Sequence, residues 1–100
     1  MPTKNISLII PCYNEENLIS KCIYSFLKTI KDNKDYNIDL IIVDDGSTDK
    51  SIEVIKKIRE ENDIKSLVKV IKLSKNYGFH IAVTAGIEFA KKSDAVIICP

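Results

Sequence analysis

Ile38-Asp39-Leu40-Ile41-Ile42-Val43-Asp44-Asp45-Gly46-Ser47-Thr48-Asp49 is the stretch whose reading decides the fold. Ile38 to Val43 is a short apolar run rich in β-branched residues, the composition of a strand. Asp44-Asp45-Gly46 ends it, and Ser47 or Thr48 is placed to cap a following helix. That helix carries Ile52, Ile55 and Ile58 on one face and Lys56, Lys57, Arg59 and Glu60 on the other. A strand that runs through a tight turn into an amphipathic helix is half of a βαβ unit.

The same grammar repeats on either side. Toward the N-terminus, Ile6-Ser7-Leu8-Ile9-Ile10 is a first strand. Its near-continuous apolarity, without alternation, suggests a strand covered on both faces. Pro11 is expected to end it, since proline cannot donate to a sheet ladder. Asn14 then reads as an N-cap, with Glu15 and Glu16 in the first helical turn, where the helix dipole favours acids. Leu18, Ile19, Cys22, Ile23, Phe26, Leu27 and Ile30 follow with a helical period, and the polar run from Lys31 to Asn37 is a loop.

Toward the C-terminus, Leu67 to Leu73 is a third strand, and a turn at Asn76-Tyr77-Gly78 leads to a helix over roughly Phe79 to Lys91. Its small residues Ala82, Ala85 and Gly86 allow close approach to a sheet. Asp94 opens a fourth strand, Ala95 to Cys99, and Pro100 follows. The resulting order, β-α-β-α-β-α-β, predicts an α/β, Rossmann-like fold with a mostly parallel sheet in the order 3-2-1-4. Helices should cover both faces through right-handed crossovers. Ligands of such sheets bind beyond the carboxyl ends of the strands, where the strand order reverses. The residues just after each strand are therefore the ones to read for chemistry.

Composition narrows the classes. The chain has 100 residues, enough for one small domain. Its 15 basic and 14 acidic residues give a net charge of +1, without the basic excess of a nucleic-acid binder. Cys12, Cys22 and Cys99 are widely spaced and odd in number, against a disulfide framework or a zinc site. Each lies among apolar residues and reads as a small buried hydrophobe, which points to a reducing, cytosolic setting. The run Ile6–Ile10 is too short for a secretory signal core, and nothing approaches the ~20 apolar residues of a membrane span.

The strand ends each carry a candidate. After the first strand, Pro11, Cys12, Tyr13, Asn14 and Glu15 form either a well-capped turn or a binding loop. In the second reading, free backbone N–H groups meet a polar ligand and the Tyr13 ring stacks on a base. After the second, Asp44 and Asp45 repel each other and need compensating donors. They are either part of a turn that feeds the helix or acceptors for a nucleobase N–H or ribose hydroxyl. After the third, Lys75 can balance a phosphate and Gly78 permits positive φ or close backbone approach. His80, the single histidine, reads as a structural residue. No Walker loop, GxGxxG, HExxH or GxSxG pattern occurs.

Together these pieces carry a resemblance. Ile9-Ile10-Pro11-Cys12-Tyr13-Asn14-Glu15-Glu16 resembles the opening strand and turn of family 2 glycosyltransferases, which have the GT-A fold. Val43-Asp44-Asp45-Gly46-Ser47-Thr48-Asp49 resembles their second strand end. Leu73-Ser74-Lys75-Asn76-Tyr77-Gly78, with His80 and Ala85-Gly86, is similar to the branch that transfers sugars to polyprenyl phosphates such as dolichyl or undecaprenyl phosphate. The resemblance implies an inverting transfer from a nucleotide-diphosphate sugar. By position, Pro11, Tyr13 and Glu15 would line the nucleotide pocket and Asp45 would hold the base, with Asp44 nearby and Lys75 and Gly78 along the nucleotide.

The resemblance also implies a divalent metal, Mg²⁺ or Mn²⁺, held by an Asp-x-Asp motif after the fourth strand. Pro100 stands at about the place of that motif's first aspartate, so either the motif is a variant or the register differs by a residue. Residues 1–100 are expected to be the N-terminal, nucleotide-sugar-binding part of a catalytic domain, with no metal ligand or catalytic residue of its own and no turnover by itself. The implied partners are the nucleotide-diphosphate sugar and a polyprenyl phosphate at the membrane surface, with no nucleic acid. The implied location is cytoplasmic, at the cytoplasmic face of the membrane through segments outside this stretch. An exposed last strand would allow pairing into a homo-oligomer.

Three other readings compete. A family 2 enzyme of polysaccharide or surface-glycan synthesis would share every strand-end motif except Asn76 to His80. A doubly wound receiver-like signalling module would need its acidic pair after the first strand, not the second. A nucleotidyltransferase would need a glycine-rich basic loop where Pro11 to Glu16 contains neither.

Overall fold

A computed structural model describes residues 4–99, so the expectation attached to Pro100 lies outside the described residues. The chain forms β1 (Lys4–Cys12), α1 (Ile19–Asp32), β2 (Tyr36–Asp44), α2 (Ser51–Asn62), β3 (Val68–Lys72), α3 (Phe79–Phe89) and β4 (Ala95–Ile98). The strands make one sheet in the order β3-β2-β1-β4. All pairings are parallel, with Ile9 opposite both Ile41 and Ile98, and Ile42 opposite Val70. The fold class and strand order are as the sequence predicts.

Side-chain alternation along the strands divides the core in two. Leu40 and Ile42 face α1 and α2, packing with Ile19, Ile23, Phe26, Ile55 and Ile58. Ile9, Ile41 and Val43 face the other way, toward Ala82 and Ala90 at the two ends of α3. The helices therefore cover both faces, and β2 from Leu40 to Val43 is at most 1% exposed. The close approach expected of α3 is present: a Cβ built on Gly86 would lie 2.6 Å from Ile9 Cγ2.

Several boundaries differ from the sequence reading. Pro11 does not end the first strand, which continues to Cys12 with Pro11 opposite Val43. The reason is directional. The Ile9 carbonyl accepts from the Cys99 N–H, so the same side of residue 11 faces β4, whose pairing ends at Ile9 opposite Ile98. The N–H that proline lacks would have had no partner there. Nor is Asn14 the cap of α1. The helix begins at Ile19 after a turn in which the Glu15 carbonyl accepts from the Leu18 and Ile19 N–H groups. No acid lies in its first turn, and Leu18, expected on the inner face, is 58% exposed. Likewise α2 starts at Ser51, beyond Ser47 and Thr48.

At the amino end of the sheet, the buried Ser7 donates from Oγ to Asp39 Oδ1 at 2.6 Å. Ser93 must then be the donor in its 2.6 Å contact with Ser7. Asp39 also pairs with Lys69 Nζ at 2.8 Å.

Candidate functional site

The carboxyl end of β2 is tied down on both edges. The Asp45 N–H donates to the Cys12 carbonyl at 2.8 Å, and the Leu73 N–H to the Asp44 carbonyl at 2.9 Å. Pleating then sends the two adjacent carboxylates to opposite faces, which weakens the repulsion that the sequence raised. Asp44, fully buried, turns toward the α2 side, where Oδ2 accepts from the Ser47 N–H at 3.1 Å. Its Oδ1 has no partner among the described residues. Asp45, 5% exposed, turns toward α3. Its Oδ1 accepts from the Tyr77 N–H at 2.8 Å and its Oδ2 from the Gly78 N–H at 3.0 Å.

This clamp sets the β3–α3 loop. Gly78 has φ of +99° and stands at the start of α3, a backbone conformation in which a side chain is strained. Gly46, at φ +72°, lies so close to the loop that an added Cβ would sit 2.3 Å from the Lys75 carbonyl carbon. Lys75 Nζ rests 5.2 Å above the Tyr77 ring. The exposed His80 meets Phe79 edge-on, with ring centroids 5.9 Å apart.

Pro11, Cys12, Tyr13, Glu15, Asp45 and Phe79 line an open groove of about 330 Å³ at the carboxyl ends of β1 and β2. Pro11, Tyr13, Glu15 and Asp45 are thus brought together as the sequence suggested, with Tyr13 43% exposed. Asp44, Lys75 and Gly78 are not in its lining; Gly78 reaches it only through Asp45. Phe79 is a wall that the sequence reading did not single out, and Cys12, which it placed in the turn but read as a small buried hydrophobe, is another.

In the turn after β1, the amides of residues 14, 15 and 16 are not free. The Asn14 N–H donates to Ser47 Oγ, Glu15 N–H to Ser51 Oγ and Glu16 N–H to Asp49 Oδ2, at 2.9, 3.0 and 3.2 Å. The reading of these three amides as free to meet a polar ligand is therefore corrected: side chains of the β2–α2 loop and of Ser51 at the start of α2 already occupy them.

Burial first, and then the Asp44 carboxylate, push the Cys12 thiol up to about 11, so it stays protonated at neutral pH and is no thiolate nucleophile. At Asp49, desolvation raises the pKa, but hydrogen bonds from the Ser51 side chain and backbone and from Glu16 outweigh it and hold it below 3.8. A depressed folded pKa stabilises above the unfolded value and is lost as pH falls through the folded one. Acidifying from pH 5 to pH 2 should release the Glu16 and Ser51 amides together, an NMR titration in which both shift with one midpoint below 3.8. A midpoint at or above that value would contradict the arrangement.

A larger depression of about 490 Å³ lies at the amino end of the sheet, around Asp39, Lys69 and Lys92. Asp39 and Lys69 satisfy each other there, and ligands of open parallel sheets gather at the opposite end. Among the described residues, no group of three or more His, Cys, Asp or Glu could hold a metal ion. The donor set for the divalent cation implied by the resemblance is thus not formed by these residues. No described helix is long and apolar enough to cross a membrane.

Residues 7–99 match the model of Glycosyl transferase family 2. The chain belongs to this family. Among curated relatives of this family 2 chain is the uncharacterized glycosyltransferase YkcC of Bacillus subtilis (strain 168), 41% identical over 92 residues. Another is the undecaprenyl-phosphate 4-deoxy-4-formamido-L-arabinose transferase of Aeromonas hydrophila subsp. hydrophila, 40% identical over 94 residues. The alignments cover 92% and 94% of this chain but 27% and 28% of those proteins, so the chain spans about a quarter of the length of the relatives it matches. The fold is shared with a mannosyltransferase from Pyrobaculum calidifontis, solved in complex with GDP-Man and Mn²⁺. The TM-score is 0.76 at 19% identity, covering 90% of this chain and 25% of that one.

Proposed function

We propose that the groove at the ends of β1 and β2 binds the nucleotide of a nucleotide-diphosphate sugar, and that the whole enzyme transfers the sugar with inversion to a polyprenyl phosphate. The observation that carries this is the convergence of the exposed Tyr13, the Glu15 carboxylate, unpaired among the described residues, and the Asp45 carboxylate on one open groove. An aromatic face and two acceptors suit a base and a ribose. Each Asp45 oxygen accepts one backbone N–H and has a second lone pair that a base N–H could use. The polyprenyl-phosphate acceptor is supported by relatives named for undecaprenyl phosphate and by the Asn76 to His80 segment. Such an acceptor would place the reaction at the cytoplasmic face of a membrane. A divalent metal, when bound, would neutralise charge on the leaving diphosphate, held by ligands outside these hundred residues.

The test is an NMR titration with UDP, GDP and ADP, with and without Mg²⁺. One nucleotide should shift Tyr13 and Asp45 selectively, and Mg²⁺ should change little. Asp45→Asn and Glu15→Gln should each weaken that binding by about tenfold, the scale of one charged hydrogen bond. The Glu15 carboxylate makes no hydrogen bond among the described residues, and the Asp45 clamp is made by the Tyr77 and Gly78 amides, so substituting Glu15 leaves that clamp intact. Equal response to all three nucleotides, or none, would overturn the groove's assignment.

A further inference from the structure

Asn14 is where two segments distant in sequence meet. Its φ of +52° places it in the left-handed region, which asparagine tolerates better than most residues with a Cβ. That backbone presents consecutive N–H groups of residues 14, 15 and 16 to Ser47, Ser51 and Asp49. In return, Asn14 Oδ1 accepts from the Thr48 N–H at 2.8 Å, the Asp49 N–H at 3.2 Å and the Thr48 hydroxyl at 3.4 Å. Ser51, fully buried, relays the contact: it accepts from Glu15 and donates from Oγ to Asp49 Oδ1 at 2.6 Å. Asn14 itself is not in the lining of the groove, while its neighbours Tyr13 and Glu15 are.

We propose that Asn14 is a positioning residue for the nucleotide groove, holding the Tyr13–Glu15 wall in place by clasping the β2–α2 loop. This deepens the proposed function and rests on it. The clasp fixes where the aromatic ring and the free carboxylate stand before any ligand arrives. Binding then needs no ordering of the turn.

The experiment compares Asn14→Ala, Asn14→Asp and Ile58→Val in the same nucleotide titration. Ile58 lies in the core under α2 and is not in the lining of the groove, so its variant reports lost stability alone. Asn14→Ala should raise the Kd by about tenfold, while the Tyr77 and Gly78 amides keep their clamped shifts. Asn14→Asp retains the acceptor oxygens and the tolerance for positive φ, and should recover most of the affinity. Ile58→Val should bind as the parent does. An unchanged Kd in Asn14→Ala, or equal weakening in Ile58→Val, would overturn the proposal.

If the parent chain binds no nucleotide, the proposed function fails first. The positioning role is then decided in the free chain by amide hydrogen exchange at Glu15 and Glu16. Protection lost in Asn14→Ala and regained in Asn14→Asp supports it. Unchanged protection in Asn14→Ala overturns it.

Discussion

Replacing Gly46 by alanine should destabilise the chain by more than about 3 kcal/mol and free the β3–α3 loop. The methyl would sit 2.3 Å from the Lys75 carbonyl carbon, 2.5 Å from the Asn76 nitrogen and 2.7 Å from Lys75 Cα. All of these are backbone atoms, so no side chain can swing aside. The φ of +72° adds about 1–2 kcal/mol of steric cost for a residue with a Cβ. Relief requires the loop to move off, and the Tyr77 and Gly78 amides would then leave the Asp45 carboxylate. Each such bond to a charged acceptor is worth roughly 1.5–3 kcal/mol. Urea unfolding measures the loss, and the Tyr77 and Gly78 amide shifts show whether the clamp has opened. Gly46→Asn separates the two causes, since asparagine tolerates the backbone angle but carries the same Cβ. It should remain nearly as damaging as alanine. An alanine variant within about 0.5 kcal/mol of the parent, the range of an ordinary surface change, would show that the contact does not exist.

Gly86→Val is expected to cost about 3 kcal/mol by wedging α3 away from the sheet. A Cβ here meets Ile9 Cγ2 at 2.6 Å and both Ile9 Cδ1 and Val43 Cγ2 at 3.2 Å. The Ile9 methyl branches at the β-carbon and cannot retreat without turning the whole side chain. Overpacking of this kind costs roughly 1–3 kcal/mol or more. Against it stands the better helix propensity of valine over glycine, less than about 1 kcal/mol. The overlap therefore wins. A double-mutant cycle checks the cause: Gly86→Val should cost clearly less in an Ile9→Ala background, because the Ile9 atoms it strikes hardest are gone and only the Val43 contact remains. Strict additivity would place the strain elsewhere.

The parts of the fold legible in the sequence are those governed by periodicity. The Ile38–Val43 run and the helical spacing of Ile19, Cys22, Ile23 and Phe26 report which residues leave water, and burial follows that pattern. The strand order follows from alternation and the handedness of crossovers. What the sequence hid depends on direction and on distant partners. Pro11 continues its strand because its missing donor faces the side where β4 has stopped. Asn14 looks like a helix cap by local rules, yet its acceptor serves residues 48 and 49, not its own helix. The acidic pair could be seen as needing donors, but those for Asp45 come from Tyr77 and Gly78, more than thirty positions later. Gly46 belonged to a recognisable motif, and only the approach of the Lys75 backbone shows what it permits. Tyr13, Glu15 and Asp45 were found because strand ends in such a sheet converge; Phe79 was missed because nothing local marks the first residue of a helix as a groove wall.

The clasp at Asn14 and the clamp at Asp45 have a consequence for anyone recombining such chains. The turn at 13–16, the loop at 45–51 and the loop at 74–78 are held mostly by side chains of one reaching the backbone of another. Exchanging the turn at 13–16 or the loop at 45–51 for one without these side chains strands backbone donors in its partner, and exchanging the loop at 74–78 for one of another shape leaves the Asp45 carboxylate without its donors. The unit that could be transplanted intact is the set of three, discontinuous in sequence but single in construction.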